Sequence, residues 1–241
     1  MIKILSNKLS LLITILLLLG QSYTLYGQIF IRRTANNCDG SSFTYNEVTS
    51  RTGRIWMDRN LGASQVATNS VDAASYGDLY QWGRLKDGHQ CRNSGVQNGL
   101  SATDVPGHAN FISPQNIFHW RNNNNANYFW QGVNGINNPC PTGFRIPSQN
   151  EWRLERQSWI GGNNAAGAFN SVLKLTLGGR RIDNASFSVV GISGYYQSST
   201  VEWAFQTRFR VITLFIDAGN LNDNDKSNNI PAATSVRCIK N

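Results

Sequence analysis

No two of the four cysteines, Cys38, Cys91, Cys140 and Cys238, lie near one another. The close C-x-x-C pairs that structural zinc sites use are therefore absent, and no metal is expected from them. The chain also lacks a Lys- or Arg-rich run; Arg32-Arg33, Arg180-Arg181 and the alternating Arg208 and Arg210 come nearest. Nucleic-acid binding wants a basic stripe or face, so no nucleic-acid partner is expected although the formal net charge is +8. Charged residues make up only 15% of the chain, and Asn supplies much of the polarity instead, as at 122–127 and 220–229. Such a surface hydrogen-bonds more than it ion-pairs. No Pro-, Gly- or Ser-rich or charged linker divides the sequence, which argues for one domain.

Long apolar runs are missing too. The run Leu11 to Leu19 (LLITILLLL) stops at Gly20 and Gln21, well short of the roughly 20 apolar residues of a transmembrane helix. It follows Lys3 and Lys8 with no acid between, the pattern of a secretory signal peptide. Gly27 is the best small residue before a scissile bond, so residues 1–27 are expected to leave and 28–241 to form a single domain. The first cysteine after the run is Cys38, too late for a lipoprotein. A secreted or periplasmic chain is expected, or one carried to the outer cell surface, with no stable membrane span after cleavage. Losing Lys3 and Lys8 lowers the formal charge by two, to +6. In an exported chain four well-spaced cysteines read as two disulfides, with three connectivities open. A bridge from Cys140 to Cys238 would close a long loop, worth roughly 4 to 5 kcal/mol in the chain-entropy account.

What the sequence does hold is aromatic area: seven Trp, eleven Phe and eight Tyr, enough for a real core. FTYNEVTS and RIWMDRNL read as short strands, with a half-buried strand around Trp56. Residues 66–74 suit a helix or a loop. YGDLYQWGR at 76–84 reads as core. From Leu85 to Asn138 the chain turns Gly-, Asn- and Ser-rich and carries His89, His108 and His119, read as solvated loop residues. Ser148 precedes Glu151 by three residues, a capping box; the helix it opens, near 148–159, should bury Trp152 against a sheet. The last third reads as strands (LKLTLGGRRI, FSVVGISGYYQSST, EWAFQTRFRVITLFI, ATSVRCIKN), with an Asn-rich loop at 220–229. One main helix with loop-rich, mostly antiparallel sheets makes an α+β domain.

The blocks TGRIWMDRNLGAS (52–64), YGDLYQWGRLKDGHQ (76–90), NPCPTGFRIPSQNEW (138–152), GYYQSST and SVRCIKN resemble, in order, the Fibrobacter succinogenes major paralogous domain. That family occurs in exported and surface proteins of Bacteroidetes-type bacteria. The resemblance covers nearly the whole chain after residue 51 and implies a C-type-lectin-like fold, shared with the formylglycine-generating enzyme and with retroelement variable proteins. Two departures stand out: Gln197 replaces the Trp common in the family's GYYWSS segment, and Arg180 and Arg181 sit where a more apolar turn is expected. In this fold the closing strands and loops commonly form the ligand face, which places it at 196–229.

These readings lead to a non-catalytic binding or adhesion module for a glycan or protein ligand, without a cofactor. The candidate ligand residues are Gln197, Trp203, Phe205, Arg208, Arg210, Asn220, Asn222 and Asn224, since aromatic and Arg side chains anchor interfaces. An enzyme of the formylglycine-generating type is the alternative, but its chemistry needs an accessible reactive cysteine. A calcium-dependent binding protein is the other, with Asn222, Asp223, Asn224 and Asp225 as oxygen donors; turn chemistry explains the same residues. The leader gives a direct test: amino-terminal sequencing of the exported protein is expected to begin at Gln28, and a start at Met1 would overturn cleavage.

Overall fold

Segments rich in aromatic and β-branched residues form most of the longer strands, although β-structure also takes in polar segments such as Asp225–Asn229. The computed structural model describes residues 33–36, 38, 40, 42–114, 119–122, 128–204, 208–217, 225–229 and 232–241. The chain divides between Ile31 and Arg32 into two units, and every described residue belongs to the second. The cleavage expected after Gly27 lies outside the described residues.

The largest sheet runs in the order β10 (Phe187–Ser188), β9 (Arg180–Arg181), β14 (Ala233–Ser235), β11 (Ser193–Ala204), β12 (Arg208–Asp217), β13 (Asp225–Asn229), with β5 (Leu79–Gln81) also paired to β14. A second sheet aligns β3 (Glu47–Thr49), β4 (Ile55–Met57), β15 (Ile239–Lys240) and β8 (Phe144–Arg145). Two ribbons stand apart, β1 (Arg33–Asn36) with β2 (Ser42–Tyr45), and β6 (Val96–Asn98) with β7 (Phe111–Ser113). Among the named strands pairing is antiparallel except between β6 and β7 and at the Tyr196–Ser235 register of β11 and β14, and three isolated bridges are parallel as well. The loop-rich, mainly antiparallel α+β architecture expected from the sequence is therefore present.

Several local expectations need correction. LKLTL is no ladder strand: Leu173, Leu175 and Leu177 are buried in irregular backbone. Thr176 between them is buried as well, so the segment is core on both sides without joining a ladder. The Asn-rich segment is partly sheet, since Asp225–Asn229 pairs with Arg210–Leu214. The long strand β12 offers a continuous hydrogen-bonding edge, and that overrides the low strand preference of Asn and Asp. The closing SVRCIKN is not one strand. It leaves the first sheet at Ser235 and enters the second at Ile239.

Helix α1 (Gln149–Gln157) starts at the capping box: Ser148 Oγ accepts from Glu151 N at 3.2 Å, and Glu151 accepts from Ser148 N at 2.8 Å. Arg145 adds a two-pronged pair to the same carboxylate at 2.8 and 2.7 Å. These bonds outweigh the cost of burial and hold the Glu151 carboxyl down at about 2. As expected, Trp152 is buried; it lies 4.9 Å from the Trp56 ring and donates to Gln197 O at 2.8 Å. The helix is shorter than expected, because Ser158 caps it and Gly161 and Gly162 follow in left-handed backbone. Leu154 is exposed, while Glu155 takes the buried position. A second helix, α2 (Ala165–Asn170), was not expected; Asn164 caps it by accepting from Gly167 N at 2.9 Å. Both helices pack on β12.

Two disulfides form, Cys38–Cys91 and Cys140–Cys238, which selects one of the three pairings. Beside the second lies Arg237, 1% exposed. Its Nε and Nη2 donate to Asn60 Oδ1 at 3.2 and 2.8 Å, and its Nη1 to the carbonyls of Leu173 and Met57 at 2.6 and 3.2 Å. Asn60 Nδ2 in turn reaches the carbonyls of Ser75 and Tyr76, Thr176 Oγ1 and the Tyr196 hydroxyl. Burial lowers the guanidinium to about 10, so it stays charged at neutral pH.

The segment from Leu85 onward is pinned rather than free. Arg84, fully buried, pairs with Asp87 at 2.9 Å and donates to Gln81 Oε1, Asn110 O and His108 O. The reading of solvated histidines is corrected for two of the three: His89 and His119 are buried. His89 Nε2 accepts from Gln81 N at 3.1 Å while Nδ1 meets Asp87 at 2.6 Å. Desolvation pulls both rings down to about 4, so they are neutral at pH 7. His108 is half-buried.

Removing the Arg237 guanidinium leaves Asn60 Oδ1 and two carbonyls without donors. Arg237→Met is therefore expected to lower the unfolding free energy by about 3 kcal/mol or more, while the exposed Arg54→Met changes it by about 0.5 kcal/mol or less. Urea unfolding of both variants checks this.

Candidate functional site

The strands β11 and β12 form the longest hairpin, and its two halves differ. In the inner half Tyr195 pairs with Phe215, Tyr196 with Leu214 and Gln197 with Thr213, all buried. A register shift between Gln197 and Val201 separates this half from the outer one. There Val201 faces Val211, Glu202 faces Arg210, Trp203 faces Phe209 and Ala204 faces Arg208 across the ladder.

The structure thus brings together three of the residues singled out from sequence, Trp203, Arg208 and Arg210, at one end of one hairpin. Phe205, Asn220, Asn222 and Asn224 lie outside the described residues, as does most of the calcium cluster. Gln197 is not at the surface. It is 1% exposed, its Nε2 donates to Tyr80 O at 2.9 Å, and its Oε1 has no hydrogen-bond partner. Position 197 is thus a core position, with half of the amide satisfied. Arg181 explains its own place near an apolar turn: it donates to Ala185 O and to Ser94 and stacks 4.5 Å from the Phe111 ring.

No protein-family model matches the chain, and no curated protein or solved structure matches it either. Among the described residues no group of three or more His, Cys, Asp or Glu is placed to hold a metal ion. All four cysteines are in disulfides.

A second feature was not legible in the sequence. A cavity of about 350 Å3 is lined by Cys38, Gly62, Ser64, Ala73, Ala74, Gly77, Asp78, Arg92 and Asn93. Asp78 is 6% exposed, and its backbone N–H donates to Leu61 O at 3.0 Å. Its Oδ1 lies 3.2 Å from Cys38 Sγ; a disulfide sulfur carries no proton, so this contact cannot neutralise the oxygen. Oδ2 is shut off from solvent, and the fully buried Tyr80 hydroxyl beside the carboxyl favours its charged form. Gly62 makes room for the carboxyl, since a Cβ there would come within 2.3 Å of it, and its φ of +81° is left-handed besides. Arg92 is fixed in the wall by bonds to Gly77 O at 2.8 Å and Gly178 O at 3.0 Å, with its guanidinium 5.4 Å from the Tyr76 ring centre.

Burial pushes the Asp78 carboxyl up to about 6, partly offset by Lys86 and Arg92. A raised carboxyl favours the folded state when protonated. Its contribution is full below the ordinary value near 3.8 and is lost as pH rises to about 6. Asp78→Asn removes that titration. The variant is expected to gain on the native protein as pH rises from 4 to 7, by about 3 kcal/mol in all. The opposite pH dependence of buried His89 and His119 is common to both proteins and cancels. Chemical unfolding across that pH range tests it; a constant difference would refute it.

Proposed function

We propose that this chain is an exported, non-catalytic binding module of the Fibrobacter succinogenes major paralogous type with a C-type-lectin-like fold. It recognises a glycan or protein ligand, at the cell surface or in the periplasm, through the outer half of the β11–β12 hairpin and the loops that follow. The observation that carries this reading is the register that sets Trp203 opposite Phe209 at the end of the ribbon, beyond the buried inner half. The neighbouring register positions hold Arg208, Arg210 and Glu202. Aromatic and Arg residue types at adjoining register positions offer apolar area and directional hydrogen bonds, the combination that dominates binding hot spots. Behind them the inner half, locked into the core, gives a rigid support, which lowers the ordering cost of binding.

Export is supported by the leader pattern and by two disulfides, which persist in oxidising compartments. Among the described residues no helix is long and apolar enough to cross a membrane. The pairing of every cysteine favours binding over formylglycine-type chemistry, because no thiol is left to form the required thiolate.

The test uses residues 28–241 on combined glycan and protein arrays. At least one ligand class is expected to bind. Trp203→Ala should weaken that binding by about tenfold or more, with an unchanged thermal midpoint. Absence of any ligand, or full binding by the variant, would refute the reading.

A further inference from the structure

We propose that the Cys38–Cys91 disulfide is a redox-sensitive clip: a dithiol reductant opens it in the folded protein, which releases β1 and the turn around Cys38 while the rest of the domain stays closed. The two bridges differ in what they hold. Cys140–Cys238 ties the crossing between the two sheets, where Cys238 and Arg237 are buried and the bonds of the guanidinium hold the same point. Cys38–Cys91 ties only a turn to the body. Cys38 is exposed and lies two residues past the end of β1, whereas Cys91 is buried.

Apart from this bridge, little holds β1. Among the described residues its strand partner is β2 alone, and a lone two-stranded ribbon is marginal in water. The strand β2 is anchored differently, since Phe43 and Tyr45 are buried in the larger aromatic core. That anchoring sets the limit of the released segment: β1 and the Cys38 turn come free, and the chain from Phe43 onward keeps its place.

The surroundings of Cys38 Sγ favour the reduced state. The sulfur lies 3.2 Å from Asp78 Oδ1 and receives the Gln90 side-chain N–H at 3.8 Å. In the disulfide the carboxylate faces a sulfur that carries no proton. Once reduced, the Cys38 S–H donates to that carboxylate, a charge-assisted bond. An interaction made only in the reduced form makes the bridge easier to reduce. One thiolate of the reductant attacks Cys38 Sγ, the S–S bond breaks, and its electron pair leaves on Cys91 Sγ, which takes a proton from solvent. The second thiolate attacks the reductant sulfur of the mixed disulfide and expels Cys38 as a thiolate. Gln90 Nε2–H meets that charge until solvent protonates it. The dithiol departs as a disulfide, and the protein has gained two electrons and two protons.

The experiment treats oxidised residues 28–241 with graded dithiothreitol at pH 7, alkylates new thiols with iodoacetamide and locates them by peptide mass spectrometry. Near-UV circular dichroism follows the fold in parallel. Cys38 and Cys91 are expected to label at least tenfold faster than Cys140 and Cys238, with the near-UV spectrum retained. Hydrogen exchange in residues 33–42 should then rise at least tenfold, while residues 54–61 stay protected. Asp78→Asn, expected to be stably folded at pH 7, should need at least a threefold higher ratio of reduced to oxidised dithiothreitol for half reduction. Cys38→Ser combined with Cys91→Ser should show fast exchange at 33–42 without any reductant. Equal labelling of all four cysteines, loss of the near-UV spectrum before Cys38 labels, or unchanged exchange at 33–42 after reduction would overturn the proposal. So would an unshifted half-point in Asp78→Asn or general unfolding of the double serine variant.

Discussion

One buried cation organises this molecule. Arg237 sits where the chain passes from the larger sheet to the smaller, and its guanidinium has no carboxylate at hydrogen-bond distance. It is compensated by one amide oxygen and two main-chain carbonyls, drawn from two parts of the chain, Met57 to Asn60 and Leu173. A buried charge solvated only by dipoles is stable while all the dipoles stay in place. The carbonyl of Met57 fixes the end of β4, that of Leu173 fixes the irregular leucine segment, and Asn60 carries the connection onward to Tyr196 in β11. The Cys140–Cys238 bridge, one residue away, holds the same crossing covalently. Both sheets and the inner half of the long hairpin therefore share a single point of constraint.

Much of this architecture was readable where a local rule acts alone. The capping box at Ser148 and Glu151 is a four-residue signal, and it forms as read. The aromatic segment 76–84 is core because Tyr80 and Trp82 have nowhere else to put their area, and Trp82 finds Ser198 O for its N–H. Reading failed where the decisive partner is distant in sequence. Arg84, Arg181 and Arg237 look like ordinary basic residues until the carbonyls that receive them are known. His89 and His119 sit in a polar, Gly-rich stretch and look solvated; their burial depends on Asp87, Gln81 and Arg121, which composition does not reveal. The second helix hid behind glycines, although Asn164 followed by three small residues was a usable cap signal.

The candidate sites divide the same way. Trp203, Arg208 and Arg210 were nominated by residue type, and the ladder sets their positions at one end of the hairpin. Gln197 was misplaced, since proximity in sequence to the ribbon hid its inward register. The Asp78 cavity was illegible for a stronger reason. It needs Gly62, Gly77, a disulfide and Arg92 to converge from segments far apart in sequence.

The register shift between Gln197 and Val201 has a consequence for how this chain can change over time. A sheet that ran unbroken from core to tip would carry any slip at the tip back into the packed interior, turning every side chain over. An irregularity between the halves can take up such a slip locally. The tip of the hairpin can then be rewritten, or lengthened by a pair of residues, while Tyr195 and Tyr196 keep their places.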